Sequence, residues 1–266
     1  MSDAMVEKVM EEVMKKMLSA SDKDANSSQG SKREAIKVPV GVTEYVGVAE
    51  GETIGLVIAN VDSKLLEKMV FEKKYRSIGI LGGRTGAGPQ IMAADEAVKA
   101  TNTEIVSIEL PRDTKGGAGH GSLIIFGAEE VSDARRAVEV GLKELNRTMG
   151  DVYANDAGHL EFQYTARASY AIEKAFGAPV GKAFGLIVGA PAAIGVLMCD
   201  AAVKAAEVDV INYLSPSKTS FTNEAILAFS GDSGAVRQAI IAARELGLKL
   251  LACMGSEPQS LTQPYI

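Results

Sequence analysis

The sequence predicts an α/β fold made of two tandem copies of one small α+β sandwich domain. Residues 95–100 (DEAVKA) recur as residues 200–205 (DAAVKA), and five of the six positions are identical. Residues 77–81 recur as residues 183–187 at an offset of 106. Two matches in the same order and at nearly the same offset indicate a duplicated domain. Strand-like and helix-like segments alternate within each copy, which favours layered sheets and helices.

The repeat extends beyond these segments. Residues 66–68 recur at 172–174 with the offset of 106, and residues 123–127 align with 227–231 at an offset of 104. The small change in offset indicates loops of different length around a fixed order of elements. The two copies together fill residues 45–253.

Repeat and composition divide the chain into three parts. Residues 38–148 and 149–266 are predicted to be the two domains, and residues 1–37 precede them. Within residues 5–18, Met, Val and Leu fall on one helical face, whereas Glu and Lys fill much of the other. Residues 19–34 hold five serines and no apolar side chain larger than alanine, which is typical of a flexible tether. The alternative for this extension is a frayed terminus without a role.

Composition excludes several classes of protein. A net charge of −6 argues against general affinity for nucleic acid or anionic membranes. No run approaches the roughly 20 apolar residues of a membrane span, and no signal peptide is evident at the start. Two cysteines, Cys199 and Cys253, make a disulfide framework improbable. We therefore expect a cytoplasmic location.

The first copy is expected to alternate strands and helices. Pro89 suits the first turn of a helix, and Ser132 or Asp133 is expected to cap the last helix of this copy. The inner face of that last helix is predicted to carry Ala134, Ala137, Val138, Gly141, Leu142 and Leu145. The predicted elements are strand 54–58, helix 65–69, strand 77–81, helix 89–101, strand 104–110, strand 122–127 and the helix that follows.

The second copy is expected to repeat this order. Its predicted elements are strand 159–165, helix 168–176, strand 183–188, helix 192–205, strands 208–214 and 225–230, and helix 233–246. A separate short apolar run, residues 248–253, is expected to follow the last helix.

Two glycine-containing motifs resemble catalytic signatures but lack the required context. Residues 231–234 (GDSG) match the nucleophile signature of trypsin-like proteases, which also needs a histidine base on an all-β scaffold. Here the motif follows a strand and opens a helix, so Asp232 or Ser233 is expected to be a helix cap. Residues 82–89 lack the P-loop ending and the dinucleotide spacing, which favours a tight, closely packed connection.

The two densest polar loops occupy matching places in the repeat, at residues 111–121 and 215–223. Neither has the spacing of a metal site or of a nucleophile–base pair. The chain has two histidines, His120 and His159, and a lone histidine among glycines is typical of a solvated loop residue. Two polar loops at matching places nevertheless suggest a shared surface that handles small polar molecules.

A family resemblance follows from residues 79–81, 93–106 and 115–119, and from their counterparts in residues 184–205 and 231–239. These segments resemble the bacterial microcompartment shell domain. In the ordinary family domain, a strand and short helix like residues 54–69 would come last. Here they come first in each copy, which resembles the circularly permuted tandem shell proteins.

The resemblance implies ferredoxin-like sheets with helices and a homotrimer that forms a pseudohexagonal tile with pores. It implies a structural, non-enzymatic role beside other shell proteins, around enzymes that act on 1,2-propanediol or glycerol. Residues 5–18 resemble segments that fasten enzyme cargo to shells. The alternative is an enzyme or small-molecule sensor that uses the same fold, with residues 111–121 as a ligand site.

The resemblance also implies candidate site residues. Lys99 and Lys204 would lie at tile edges, although a solvated helix face is the simpler interpretation of each. Small channels within a subunit would involve Asn60, Asp62 and Glu109. The pore loops contain no cysteine, so we expect no iron–sulfur cluster, no other cofactor and no metal. The candidates for contact with a passing diol or triol are Asp113, Thr114, His120, Ser217, Thr219 and Ser220.

Overall fold

The computed structural model describes residues 39, 41–111, 120–219 and 221–266. Residues 41–266 form one compact unit. The predicted tether and helix within residues 1–37 lie outside the described residues, and so do Asp113, Thr114 and Ser220. None of the helices in the described part of the chain is long and apolar enough to span a membrane.

The first copy forms a five-stranded antiparallel sheet with strand order β1-β2-β3-β5-β4. Its strands are β1 (Tyr45–Ala49), β2 (Thr53–Ile58), β3 (Ser77–Gly83), β4 (Glu104–Glu109) and β5 (Ser122–Ala128). Its helices are α1 (Ser63–Met69), α2 (Gly88–Lys99) and α3 (Val131–Thr148).

The second copy forms a six-stranded antiparallel sheet with strand order β11-β6-β7-β8-β10-β9. Its strands are β6 (Val152–Asn155), β7 (Gly158–Thr165), β8 (Ala183–Ala190), β9 (Asp209–Leu214), β10 (Ala225–Gly231) and β11 (Gln259–Ser260). Its helices are α4 (Tyr170–Phe176), α5 (Ala192–Ala205) and α6 (Ser233–Ala252), and a 3-10 turn spans Pro216–Lys218. The chain passes between the sheets after Thr148, and the domain boundary at residues 148–149 stays a prediction.

Helices α3 and α6 cover the sheets and confirm the predicted α+β layers. The inner face predicted for α3 is confirmed, because Ala134, Ala137, Val138, Gly141 and Leu145 are buried; Leu142 is partly buried. Gly141 allows the helix to approach the sheet closely, since a Cβ there would lie 2.6 Å from Leu81 Cδ1.

Several predicted boundaries are wrong. Strands β1, β6 and β11 were not predicted. Helix α3 begins at Val131, so Ser132 and Asp133 lie inside its first turn and Glu130 takes the N-cap position. Asp232 does occupy the N-cap of α6, but its side chain makes no capping hydrogen bond. The run at residues 248–253 is not a separate segment, because α6 continues to Ala252.

The predicted alignment of the last strand pair is also wrong by one residue. Phe126 pairs with Gly79 in the first sheet, and Phe229 pairs with Gly185 in the second. Since Gly79 and Gly185 are equivalent, Phe126 corresponds to Phe229, and the offset is 103 rather than 104. The alignment of residues 123–127 with residues 227–231 is displaced by one position because both strands are almost uniformly apolar. A shift of one residue therefore still pairs apolar residues with apolar residues.

The two copies pack face to face through α2 of the first copy and α4 and β7 of the second. Buried Asp95 on α2 joins them, because it accepts hydrogen bonds from the Ser169 backbone N–H, at 2.8 Å, and from the Ser169 hydroxyl. Lys99 Nζ lies 2.5 Å from the same carboxylate.

We expect Asp95→Ala to lower the free energy of unfolding by about 2 kcal/mol, because it leaves the Ser169 donors without their acceptor. The control is Asp156→Ala, which removes an exposed carboxylate in the turn after β6 and should change stability by less than about 0.5 kcal/mol. Urea unfolding monitored by circular dichroism measures both. Equal stability of the two variants would show that Asp95 does not join the copies.

Candidate functional site between the two copies

Both histidines of the chain contact one buried carboxylate where the two copies meet. His120 stands just before β5 in the first copy, whereas His159 in β7 and Glu224 before β10 belong to the second. His120 Nδ1 lies 2.9 Å from Glu224 Oε2, and His159 Nε2 lies 3.2 Å from Glu224 Oε1. The carboxylate therefore connects an imidazole of one copy to an imidazole of the other. We call His120, His159, Glu161 and Glu224 the His–Glu cluster.

The expectation that His120 is a solvated loop residue is wrong. Its side chain is 12 % exposed and is held by Glu224. The backbone N–H of Gly121, the next residue, donates to the Pro111 carbonyl, which closes the base of the loop. No local pattern predicts this contact, because Glu224 lies 104 residues away along the chain.

Two threonines extend the cluster. The hydroxyl of Thr222 lies 3.0 Å from Glu224 Oε2 and 2.8 Å from the hydroxyl of Thr219. All three residues are buried. Thr219 was predicted to contact a solute, and the structure places it beside the same carboxylate as His120.

A second carboxylate, Glu161, completes the cluster. Its Oε1 lies 3.9 Å from His159 Nε2, and burial raises the pKa of Glu161 to about 7. Burial acts on Glu224 in the same direction, but the hydrogen bond from His120 and the close imidazole of His159 outweigh it and lower the pKa of Glu224 to about 2. The hydrogen bond to Glu224 raises the pKa of His120. Near neutral pH the cluster thus combines an ionised Glu224 with a Glu161 that titrates.

The His–Glu cluster lies between two cavities. The smaller has a volume of about 170 Å³, and His120, Glu161 and Glu224 line it together with Lys218 and Thr219. That volume equals roughly six times the ~30 Å³ that one water molecule occupies in the liquid. The larger, of about 640 Å³, is lined by His159 and by residues 48–54 of β1, β2 and their turn. Since His159 and Glu224 are in contact, the pair stands between the two spaces.

The other predicted site residues lie elsewhere. Ser217 is exposed in the 3-10 turn, 3.0 Å from the Ser215 hydroxyl. Asp62 is the N-cap of α1 and accepts from the Lys64 N–H, and Asn60 is exposed just before it. Glu109 is exposed at the end of β4, 3.3 Å from the Ser107 hydroxyl. Asn60, Asp62 and Glu109 line neither of these two cavities.

Sequence reasoning missed Glu161, Glu224 and the role of His159, although β7 carries a usable signal. His159, Glu161 and Gln163 alternate with apolar residues and are all buried. Since alternate residues of a strand share a face, three polar side chains spaced by two indicate a polar face. In a strand covered on both sides, such a face indicates a polar site.

The lysines predicted at tile edges differ in environment. Lys99 is 30 % exposed and contacts Asp95 and Glu96, at 2.5 and 3.0 Å. Lys204 is 72 % exposed and pairs with Asp200 at 2.7 Å. The simple interpretation of a solvated helix face therefore describes Lys204 better than Lys99.

The same contrast extends over a whole surface. Ile91 and Met92 of α2 are fully buried against the second copy, whereas their equivalents on α5, Val196 and Leu197, are 49 % and 46 % exposed. We call this exposed surface the α5–β9 face. It comprises Val196, Leu197, Val203, Val210 and Tyr213.

Comparison with known proteins places the fold in a family. A family model described as BMC domain matches residues 77–156 and 183–257. The two matches begin at Ser77 and Ala183, which are the first residues of β3 and β8. The match that begins at Ser77 extends through β6 and so into the second sheet. A match displaced in this way is expected when the strands before β3 and β8 come first instead of last.

Similar proteins match most or all of this chain. The bacterial microcompartment shell protein PduB of Citrobacter freundii is 62 % identical, with 100 % of this chain and 99 % of the relative covered. A crystal structure titled as a trimeric bacterial microcompartment shell protein PduB matches with a TM-score of 0.81 and 57 % identity, covering 85 % of this chain and 100 % of that one. EtuB from Clostridium kluyveri matches with a TM-score of 0.82 and 57 % identity, over 84 % and 99 % of the chains. This chain therefore belongs to the BMC-domain family of bacterial microcompartment shell proteins.

Proposed function

We propose that the chain is a structural component of a microcompartment shell, in which three copies close head to tail into a pseudohexagonal tile. Such tiles would join other shell proteins around enzymes of 1,2-propanediol or glycerol catabolism. The observation that carries this proposal is the α5–β9 face, which is exposed although its equivalent in the first copy is buried.

The repeat indicates what covers this face. In the first copy, α4 and β7 of the second copy cover α2. The equivalents of α4 and β7 are α1 and β2, which present exposed Leu65, Val70 and Ile54. A second chain could therefore place its α1 and β2 on the α5–β9 face and repeat the contact made within each chain. Such a head-to-tail contact closes into a ring, and three chains with two copies each supply six similar wedges.

The relatives support the trimer and the location. One similar solved protein is described as trimeric, and the curated relatives are named as shell proteins. We propose the same assembly for this chain. We also propose that residues 5–18 fasten enzyme cargo, so that deletion of residues 1–37 leaves tiles intact and releases cargo.

The cavities support passage of small polar solutes through each subunit. The His–Glu cluster with Thr219 offers acceptors and donors at a cavity of about 170 Å³, which suits a molecule the size of glycerol or propanediol. The two polar loops remain the proposed lining of the central pore. A passage of this kind binds its solute weakly, because a tightly held solute is not released.

Electron microscopy of the purified protein tests the structural role, because tiles should associate into sheets. We expect Lys204→Ala to reduce sheet formation, since this exposed lysine is available to a neighbouring tile. Lys249→Ala removes another exposed lysine on α6 and should leave sheets unchanged. If the unmodified protein forms no sheets of tiles, the structural role is contradicted. If Lys204→Ala and Lys249→Ala form sheets of tiles to the same extent, the assignment of Lys204 to the tile edge is contradicted.

The alternative function is a sensor or enzyme on the same fold, which the buried cluster of histidine and glutamate would favour. Incubation with glycerol or propanediol and a nicotinamide or cobalamin cofactor separates the two. We expect no product, whereas turnover of even about 1 s⁻¹, which is near the low end for enzymes, would contradict a purely structural role.

A further inference from the structure

The His–Glu cluster holds its four ionisable groups where the two cavities approach each other. Glu161, Glu224 and His120 line the smaller cavity, and His159 lines the larger. The shortest contacts run from His120 through Glu224 to His159, at 2.9 and 3.2 Å. A solute that crosses from one cavity to the other at this contact has to pass these side chains or separate them.

The charges that face Glu161 come from every side of the cavity. His159 lies beside it on β7, His120 comes from the loop before β5, and Glu224 comes from the segment before β10. The 3-10 turn adds Lys218 at the exposed rim. The start of α2 adds glycine backbone, since a Cβ on Gly88 would lie 3.3 Å from Glu161 Oε2. Among the residues that the structure describes, Glu161 thus has a carboxylate and two imidazoles as its close ionisable neighbours.

The balance of charge inside the cluster depends on one proton. The Glu224 carboxylate lies 2.9 Å from His120 and 3.2 Å from His159, so both imidazoles face it, whereas Glu161 lies 3.9 Å from His159. Loss of the proton from Glu161 to solvent places a second negative charge in the same buried space. Two buried carboxylates repel each other and require water or hydrogen-bond donors to solvate them.

We propose that Glu161 is a proton-operated switch in the passage through each subunit: the protonated cluster closes it, and the ionised cluster admits water and small polyols. This inference rests on the proposed passage of polar solutes. When Glu161 is neutral, the contact of Glu224 with His120 holds the two copies together across the gap. When Glu161 is ionised, its carboxylate attracts hydroxyl donors, and glycerol supplies three of them.

The ionisation of Glu161 explains the direction of the switch. Burial raises its pKa to about 7, so the ionised fraction rises about tenfold between about pH 6 and about pH 8. Polyol occupancy should rise with it. His159 and, to a lesser extent, His120 oppose this rise in pKa, because a positive charge on either imidazole favours the ionised form of Glu161.

Two measurements on the full-length protein test the switch. Infrared difference spectroscopy detects the carbonyl stretch of a protonated carboxyl group, and ligand-observed NMR detects bound glycerol. In the unmodified protein we expect the carbonyl band to disappear and the glycerol signal to rise about tenfold between about pH 6 and about pH 8, with one midpoint. Glu161→Gln should abolish the band and keep the glycerol signal low throughout. Glu129→Gln, which alters an exposed carboxyl after β5, should behave like the unmodified protein.

The outcomes separate the switch from the passage itself. The switch is contradicted if glycerol binds equally at both pH values, or if glycerol binding to Glu161→Gln keeps its pH dependence. Neither outcome contradicts the proposed passage of polar solutes. Absence of glycerol binding at every pH overturns both. Replacement of His120 by asparagine should move the midpoint to higher pH, and an unchanged midpoint would show that the groups do not act together.

Discussion

Val196→Asp should convert the assembled protein into single chains that remain folded. Val196 belongs to the α5–β9 face and is 49 % exposed, so an aspartate is tolerated in a single chain. In the proposed ring the same position is covered by a second chain. Burying an unpaired carboxylate in an apolar contact costs several kcal/mol, and this cost weakens every contact between chains in the ring.

Two substitutions serve as controls. Val180→Asp alters a valine of similar exposure in the turn after α4, outside the α5–β9 face, and should leave assembly intact. Ile91→Asp alters the equivalent of Val196 in the first copy, where the side chain is fully buried, and should unfold the protein. Analytical ultracentrifugation measures assembly, and circular dichroism measures folding. Assembly of Val196→Asp that matches that of Val180→Asp would contradict the proposed interface.

Glu161→Gln should stabilise the protein above pH 7 by about 3 kcal/mol and have little effect near pH 4. In the folded protein the pKa of Glu161 is about 7, compared with 4.5 for an ordinary glutamate. The folded state therefore binds more protons than the unfolded state between these values, and stability falls as the pH rises from 4.5 to 7. Glutamine stays neutral and avoids this loss.

Urea unfolding at a fixed protein concentration across the pH range measures the effect. Glu224 contributes in the opposite sense, because its pKa is lowered to about 2 and its contribution is lost only as the pH falls from 4.5 towards that value. The two effects thus occupy separate ranges of pH. A stability difference between Glu161→Gln and the unmodified protein that is constant over the whole range would contradict the protonated, buried state of Glu161.

The fold was predictable where local sequence determines the element. Helix α5 was predicted with its observed bounds, because an alanine-rich run follows Pro191 directly. The end of α6 was predicted wrongly because Gly247 suggests a helix stop. In the structure a Cβ at Gly247 would lie 2.6 Å from Met198 Sδ, so this glycine permits close contact between α5 and α6. A glycine needed for packing and a glycine that ends a helix look alike in a single sequence.

The candidate site was less predictable, because it depends on contacts between copies. His120 and Thr219 were predicted from their polar loops, but the carboxylate that joins them to His159 was not. Strands β7 and β10 flank β8 in the second sheet, and His120, just before β5 of the first copy, contacts Glu224 just before β10. No local pattern encodes that arrangement. The difference between Lys99 and Lys204 has the same origin, because burial of α2 depends on the second copy.

The mass of the purified full-length protein in solution tests the central claim most directly. Native mass spectrometry should give three times the mass of one chain, because the contact between α2 and the second copy repeats at each α5–β9 face until the ring closes. A single chain would show that this face stays exposed. A closed dimer would show that it pairs in some other way, and either result would contradict the pseudohexagonal tile.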